Sequence, residues 1–338
     1  MKTVIQQLCE LPGVSGREEA VRQFILKSLS HSSAEMSVTV DSLGNVICHL
    51  KGDKRAEKQV MLSAHMDEVG LIVTHITEDG YLRFATVGGI TDAVLCGTRV
   101  KIGDISGVIG CKAFHLCSKD EAKKQPPQEE LLIDIGAESK EKAAALVCVG
   151  DAAVFDTPFT EMQTQICAKA LDDRVGCALL LEIAQKTPPY DITLAFTVQE
   201  EVGCRGAAVV AFSVRPDIAI VLETTTAADI ANVSEDRQVC KIGNGPVVSF
   251  MDKGTLYDAE LYRLIRKTAD DLHIPNQTKT LIAGGNDASA IQRSANGVRV
   301  GAISLPCRYI HSPSSVISYE DLLQTRLLVL GLLGVLPI

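Results

Sequence analysis

The sequence predicts an α/β fold in three layers: a largely parallel sheet, helices on both faces, and a small β-rich domain inserted into it. Two patterns predict it. From residue 165 onward, strand-like and helix-like runs alternate, as in a parallel sheet covered by helices. Between residues 68 and 164 there are many short β-like runs with Gly-rich turns. The 338-residue length agrees. At roughly 100–200 residues per domain, it makes two domains or one large domain with an insertion. The divided domain is assigned to 1–67 and 165–338, and the insertion to 68–164.

The elements follow in order. Ser15-Gly16-Arg17-Glu18 has the form of a capping box and opens the first helix expected. Val21, Phe24, Ile25 and Leu29 continue it at helical spacing. Residues 36–40 and 46–50 flank Asp41-Ser-Leu-Gly-Asn45 as a hairpin. Residues 60–64 form a short apolar strand that runs into His65-Met66-Asp67. In the insertion, 70–74, 81–86, 93–102, 107–111, 131–135 and 153–155 are strand-like, 140–145 is helical and the polar 118–130 is a surface loop. Such a segment should offer strand edges and apolar surface for self-association. Helices are then expected at 174–185, 257–272 and 319–333, and strands at 192–198, 218–222 and 298–305.

Composition removes several function classes. The net charge of −9 argues against nucleic acid, whose phosphates need clustered Lys and Arg. Trp is absent and aromatics are 4%, which weakens a sugar-stacking cleft. The eleven cysteines contain no Cys-x-x-Cys pair. Cys96, Cys148 and Cys177 sit in apolar runs, where a thiol acts as a small hydrophobe. That usage fits a reducing cytoplasm. The first residues do not form a signal peptide, because Gln6, Gln7 and Glu10 interrupt the apolar stretch. The longest apolar run, 327–338, is 12 residues. About 20 are needed to span a bilayer, so the run is assigned to a buried C-terminal helix.

Four strands lead to acid or histidine: His65 and Asp67, Glu200 and Glu201, Glu223, and His311 after a short connection. Sites in open α/β sheets form beyond the carboxyl ends of strands, so these groups should converge. A fifth segment, Leu171-Asp172-Asp173-Arg174, opens a helix. Singly, each has an ordinary explanation: a structural histidine, or an acid at a helix N-terminus. Together they do not, because adjacent carboxylates repel unless a cation compensates them. Imidazole and carboxylate donors suit zinc or cobalt. A carboxylate left over beside such ions is the ingredient for general-base hydrolysis. Strand alternation leaves open which of Glu200 and Glu201 would touch metal.

Five segments carry a resemblance. Ser63-Ala-His-Met-Asp-Glu-Val-Gly70, Lys169-Ala-Leu-Asp-Asp-Arg-Val-Gly176, Val198-Gln-Glu-Glu-Val-Gly203, Leu222-Glu-Thr-Thr-Thr-Ala-Ala-Asp229 and Arg308-Tyr-Ile-His-Ser-Pro313 resemble, in order, the signatures of the M42 metallo-aminopeptidases. The resemblance implies two divalent ions, zinc or cobalt. His65, Asp172 and Glu223 would hold one, and Asp172, Glu201 and His311 the other. Glu200 would be the general base, with Asp67 orienting His65. Many relatives have Asp at the position of Glu223, and Gly-Gly-Thr-Asp where this chain has Gly284-Gly285-Asn286-Asp287. The resemblance also implies a PDZ-like or barrel-like insertion, a cytoplasmic homo-oligomer such as a tetrahedral dodecamer, and peptide substrates with a free N-terminus. The rival functions are a dimetal deacylase or amidohydrolase, an endoglucanase, and a non-catalytic assembly protein.

Overall fold

The computed structural model describes residues 1–120 and 123–337. Residues 121 and 122 of the expected surface loop, and Ile338, lie outside the described residues. The chain starts with a helix that the sequence reading missed, α1 (Lys2–Glu10), which buries Ile5, Leu8 and Cys9. Helix α2 (Glu19–Ser30) follows, then strands β1 (Met36–Val40), β2 (Val46–Leu50) and β3 (Val60–His65). The expected capping box is absent. Helix α2 begins at Glu19 without a side-chain cap. Ser15 Oγ instead donates to Asp67 Oδ2 (2.6 Å), and Glu18 accepts from Gly16 N (2.7 Å). The Ser15 hydroxyl is thus turned to donate to a buried carboxylate, a charge-assisted bond stronger than a neutral one, and does not accept from the N–H groups of the helix start.

The insertion is a closed barrel of six antiparallel strands. These are β4 (Gly70–Ile76), β5 (Leu82–Val87), β6 (Arg99–Ile102), β7 (Ile105–Gly110), β8 (Leu132–Asp134) and, after helix α3 (Lys140–Ala144), β9 (Ala152–Phe155). Their order is β4-β5-β8-β7-β6-β9, with β9 pairing back to β4. Closure removes the free strand edges that the sequence reading expected. Exposed apolar side chains remain, with Leu116 at 63%, Val149 at 61% and Leu146 at 53%. Leu71, Leu82, Val100, Ile109 and Ile133 fill the barrel. Cys96, read as a small hydrophobe, is in fact joined to Cys111 by a disulfide. The hairpin β6–β7 brings its two flanks together and so makes this pairing geometrically available.

The chain then returns to the large sheet through β10 (Thr160–Met162) and β11 (Gln165–Ala168), followed by helix α4 (Leu171–Ile183), β12 (Ile192–Thr197), α5 (Arg205–Val214) and β13 (Ile218–Thr226). After β14 (Val247–Val248) come α6 (Ala259–Asp271), β15 (Gln277–Thr278), α7 (Ala288–Gln292), β16 (Arg299–Arg308), β17 (Ser315–Ser318) and α8 (Tyr319–Leu333). The main order is β1-β2-β12-β3-β13-β16-β17-β11-β10. Along this path β12, β3, β13 and β16 run parallel and the flanking strands are antiparallel, while off it β14 pairs parallel with β15 and antiparallel with β16. Alternate residues of the parallel strands feed two cores. Leu62, Ile220 and Leu222 pack with α1, α2, α4, α6 and α8. Met61, Ala219 and Val221 pack with α5 and α7. Among the described residues, no helix is long and apolar enough to cross a membrane.

Helix α6 has a cap that can be tested. Asp258 accepts from the backbone N–H groups of Glu260 (3.0 Å) and Leu261 (2.9 Å), and from Arg299 Nε (2.8 Å). The Arg299 guanidinium holds its carboxyl down at about 2. Asp258→Ala should cost about 1–2 kcal/mol in urea unfolding near neutral pH, the range for a lost N-cap. A depressed folded-state pKa means that the contribution is complete above about pH 4 and is lost as pH falls towards 2. The wild-type-minus-variant gap should therefore shrink over that window. A gap independent of pH would contradict the assignment.

Candidate metal centre

The four parallel strands bring the site residues together at their carboxyl ends. His65 is the last residue of β3 and stands in register with Thr197, the last of β12. Glu223 departs from expectation: it lies inside β13, which continues through Thr224, Thr225 and Thr226 beside β16. β-Branched threonines prolong the strand past its apolar run. Glu200 and Glu201 lie beyond β12, after Gln199 with φ 57°. Strand alternation therefore does not separate them. Asp172 and Asp173 sit at the start of α4 but lack helical dihedrals, so Asp172 is not presented as an ordinary helix side chain.

Asp172 stands between the two histidines. Its Oδ1 is 3.3 Å from His65 Nε2, and its Oδ2 is 3.2 Å from His311 Nε2. Glu223 Oε1 lies 3.5 Å from His65 Nε2, and Glu201 Oε2 lies 3.1 Å from His311 Nε2. Glu200 lines the same cavity, of about 240 Å³, with His65, Asp172, Glu223, Lys279 and His311. Asp173 also comes within reach of His65 and Glu223. Its oxygens are engaged by the backbone N–H groups of His65 (3.3 Å) and Gly176 (3.0 Å).

Several contacts fix these groups. Asp67 is fully buried, and its Oδ1 accepts from Glu200 N (3.0 Å) while its Oδ2 accepts from Glu201 N (3.2 Å). His65 Nδ1 lies 3.1 Å from Asp67 O and 3.4 Å from Asp67 Oδ1, so Nδ1–H has its acceptor and Nε2 faces the acids. His311 Nδ1 is similarly 3.3 Å from Gly89 O, on the loop that follows β5 of the barrel. A Cβ at Gly89 would come within 3.2 Å of that nitrogen, so the close approach favours glycine. Behind the site, Lys169 Nζ donates to both oxygens of buried Glu68 (2.7 and 2.8 Å) and to Leu11 O (3.0 Å). Arg174 joins the same carboxylate at 3.3 Å and reaches Leu8 O, tying the end of α1 to the site.

The electrostatics demand positive charge. Burial and the neighbouring acids push the Glu200 carboxyl well above its ordinary value. Burial, with Asp172 adding to it, raises Glu223 to about 8. Burial would lower both histidines, but the carboxylates win. Glu223, Asp172 and Asp67 raise His65 well above its usual value, and Asp172 and Glu201 carry His311 to about 11. The two imidazoles, opposing the burial penalty, hold Asp172 well below the usual range. In the chain alone, protonated imidazoles answer the excess of acid. Divalent cations would do so while taking both Nε2 atoms as ligands. The donor set of two imidazoles and several carboxylates fits such ions.

Sequence reasoning named His65, Asp67, Asp172, Glu200, Glu201, Glu223 and His311, and all seven meet here. It missed the supporting contacts of Ser15, Gly89, Lys169, Asp173 and Arg174. Lys169, Asp173 and Arg174 had a signal, because they flank Asp172 in a quoted motif. Ser15 and Gly89 had none, because their partners are remote in sequence.

The sequence profile of the M42 glutamyl aminopeptidase family matches residues 44–328. A putative aminopeptidase of Acetivibrio thermocellus is 38% identical, with 95% of each chain covered. The TET aminopeptidase of the marine sediment archaeon Thaumarchaeota archaeon SCGC AB-539-E09 superposes with a TM-score of 0.93 at 34% identity, covering 98% of this chain and 95% of the other. The Pyrococcus horikoshii TET1 peptidase, which can assemble into a tetrahedron or a large octahedral shell, gives 0.85 at 34% identity, with 98% of each covered. With this fold and these matches, the chain belongs to the M42 glutamyl aminopeptidase family and is an aminopeptidase, for which the family implies a divalent metal.

Proposed function

We propose that the chain removes N-terminal residues from peptides at a two-metal centre, with Glu200 as general base. The observation that carries this reading is the placement of Asp172, whose two oxygens face different histidines. His65, Asp172 and Glu223 would hold one ion, zinc or cobalt, and His311, Asp172 and Glu201 the other. When bound, such ions supply Lewis acidity for the water and for the developing oxyanion. Glu200 takes a proton from the attacking water as its oxygen adds to the first peptide carbonyl. It then delivers that proton to the leaving amine. Asp67 acts through His65, holding its ring and the backbone of both glutamates. A substrate ammonium is attracted by the surplus of carboxylate, whereas an acetylated N-terminus loses that charge.

Lys279 supports a preference for acidic N-terminal residues. It is buried, lines the same cavity and donates to Ala283 O (2.5 Å). In this reading its ammonium meets a substrate carboxylate. For assembly, we propose a homo-oligomer of the kind named for the TET1 relative, with residues 68–164 contributing contacts and 1–67 with 165–338 performing catalysis. The exposed apolar side chains of the barrel support this. Nine cysteines remain free among the described residues, which supports a reducing cytoplasm, while the Cys96–Cys111 disulfide weighs against it.

Two experiments test the assignments. Glu200→Gln should keep metal content near wild type by elemental mass spectrometry, while the rate falls about 10²–10⁴-fold. Glu201→Gln should lose one ion, because a neutral amide is a poor ligand; the opposite pattern would reverse the roles. Lys279→Met should lower the rate ratio of Glu-anilide to Ala-anilide about tenfold or more, as expected for one charge-assisted hydrogen bond of about 1.5–3 kcal/mol. An unchanged ratio would remove Lys279 from specificity.

A further inference from the structure

Glu200 also belongs to a cluster outside the proposed centre. Glu200, Cys204 and Asp287 each bring one potential ligand atom within 4.8 Å of the other two. The thiol of Cys204 donates to Glu200 Oε1 at 3.5 Å. A single tight turn fixes their spacing, because Gly203 N and Cys204 N both donate to Glu200 O (2.9 Å each). Asp287 is 1% exposed. Its Oδ2 accepts from Thr197 Oγ1 at 2.6 Å, whereas its buried Oδ1 has no hydrogen-bond partner among the described residues. Leaving a buried carboxylate oxygen unpaired costs free energy that a cation would recover. Cys204 and Glu200 are only half-buried, so the cluster is open to ions from solution.

We infer that Glu200, Cys204 and Asp287 form an additional site for a thiophilic divalent cation, zinc foremost, and that filling it withdraws Glu200 from catalysis. One sulfur and two carboxylate oxygens select zinc or cobalt over magnesium or calcium, and three protein ligands leave a fourth position for water. On binding, Cys204 releases its thiol proton to solvent and the sulfur donates a lone pair to the ion, with no change of oxidation state. Zinc beyond the amount needed for activity would then slow the enzyme. The second half of the inference rests on the reading of Glu200 as the base.

The test uses the full-length enzyme carrying two equivalents of cobalt, titrated with further cobalt. The wild type should develop thiolate-to-cobalt charge-transfer absorption in the near ultraviolet at the third equivalent, with activity falling in parallel. Cys204→Ala should show no such band and keep its own two-equivalent activity through the third. Asp287→Asn, which leaves the thiol in place, should weaken the third binding step about tenfold or more, as loss of a charged ligand implies. No band in the wild type, or the same band in Cys204→Ala, overturns the site. A band that depends on Cys204 but brings no loss of activity keeps the site and overturns its link to Glu200.

Discussion

The burial and half-burial of many carboxyl groups in one place, with the mutual repulsion that follows, is the constraint on which the rest of this structure depends. Asp67, Asp172, Asp173, Glu200, Glu201, Glu223 and Asp287 gather around two imidazoles at the carboxyl end of a parallel sheet. Buried charges must be paired or must coordinate metals. The raised carboxyls of Glu200, Glu223 and Asp287, and the raised imidazoles, are the response of the chain alone. Two divalent ions would answer the same excess and at the same time create the chemistry.

The fold holds this arrangement by linking it to rigid parts. Asp67 ties the end of β3 to the turn after β12, fixing His65, Glu200 and Glu201 through one side chain. Glu68, the next residue, joins Lys169 and Arg174, which reach the carbonyls of Leu11, just past α1, and of Leu8 within it. These two cations against one carboxylate also place surplus positive charge behind the acidic cluster. The barrel enters the site through Gly89, whose carbonyl faces His311. The barrel thus touches a proposed metal ligand directly.

The sequence made the site legible and left its supports hidden. Acids and histidines gathered at or just beyond the ends of several apolar strands have few structural uses, so His65, Glu200, Glu201 and His311 could be read from position. Glu223 lies inside a strand and not just beyond one, because the apolar run stops at Leu222 while the strand does not. The local pattern at Ser15 and Glu18 suggested a capping box, since the pull of Asp67 acts from 52 residues away. Helix α1 was readable: Ile5, Leu8 and Cys9 have helical spacing and are all buried. The closure of the barrel was not, because short strands of similar composition do not encode their pairing order. Cys96 gave no sign of its partner, because the hairpin that brings Cys111 near is set by pairing rather than by spacing.

The most direct measurement of the account is anomalous diffraction at the zinc edge from crystals of the zinc-loaded protein. The account predicts two peaks about 3.5–4 Å apart, the usual separation in two-metal sites. One should lie nearest His65 and Glu223, the other nearest His311 and Glu201, with Asp172 between them. A single peak, or two peaks not bridged by Asp172, would contradict it.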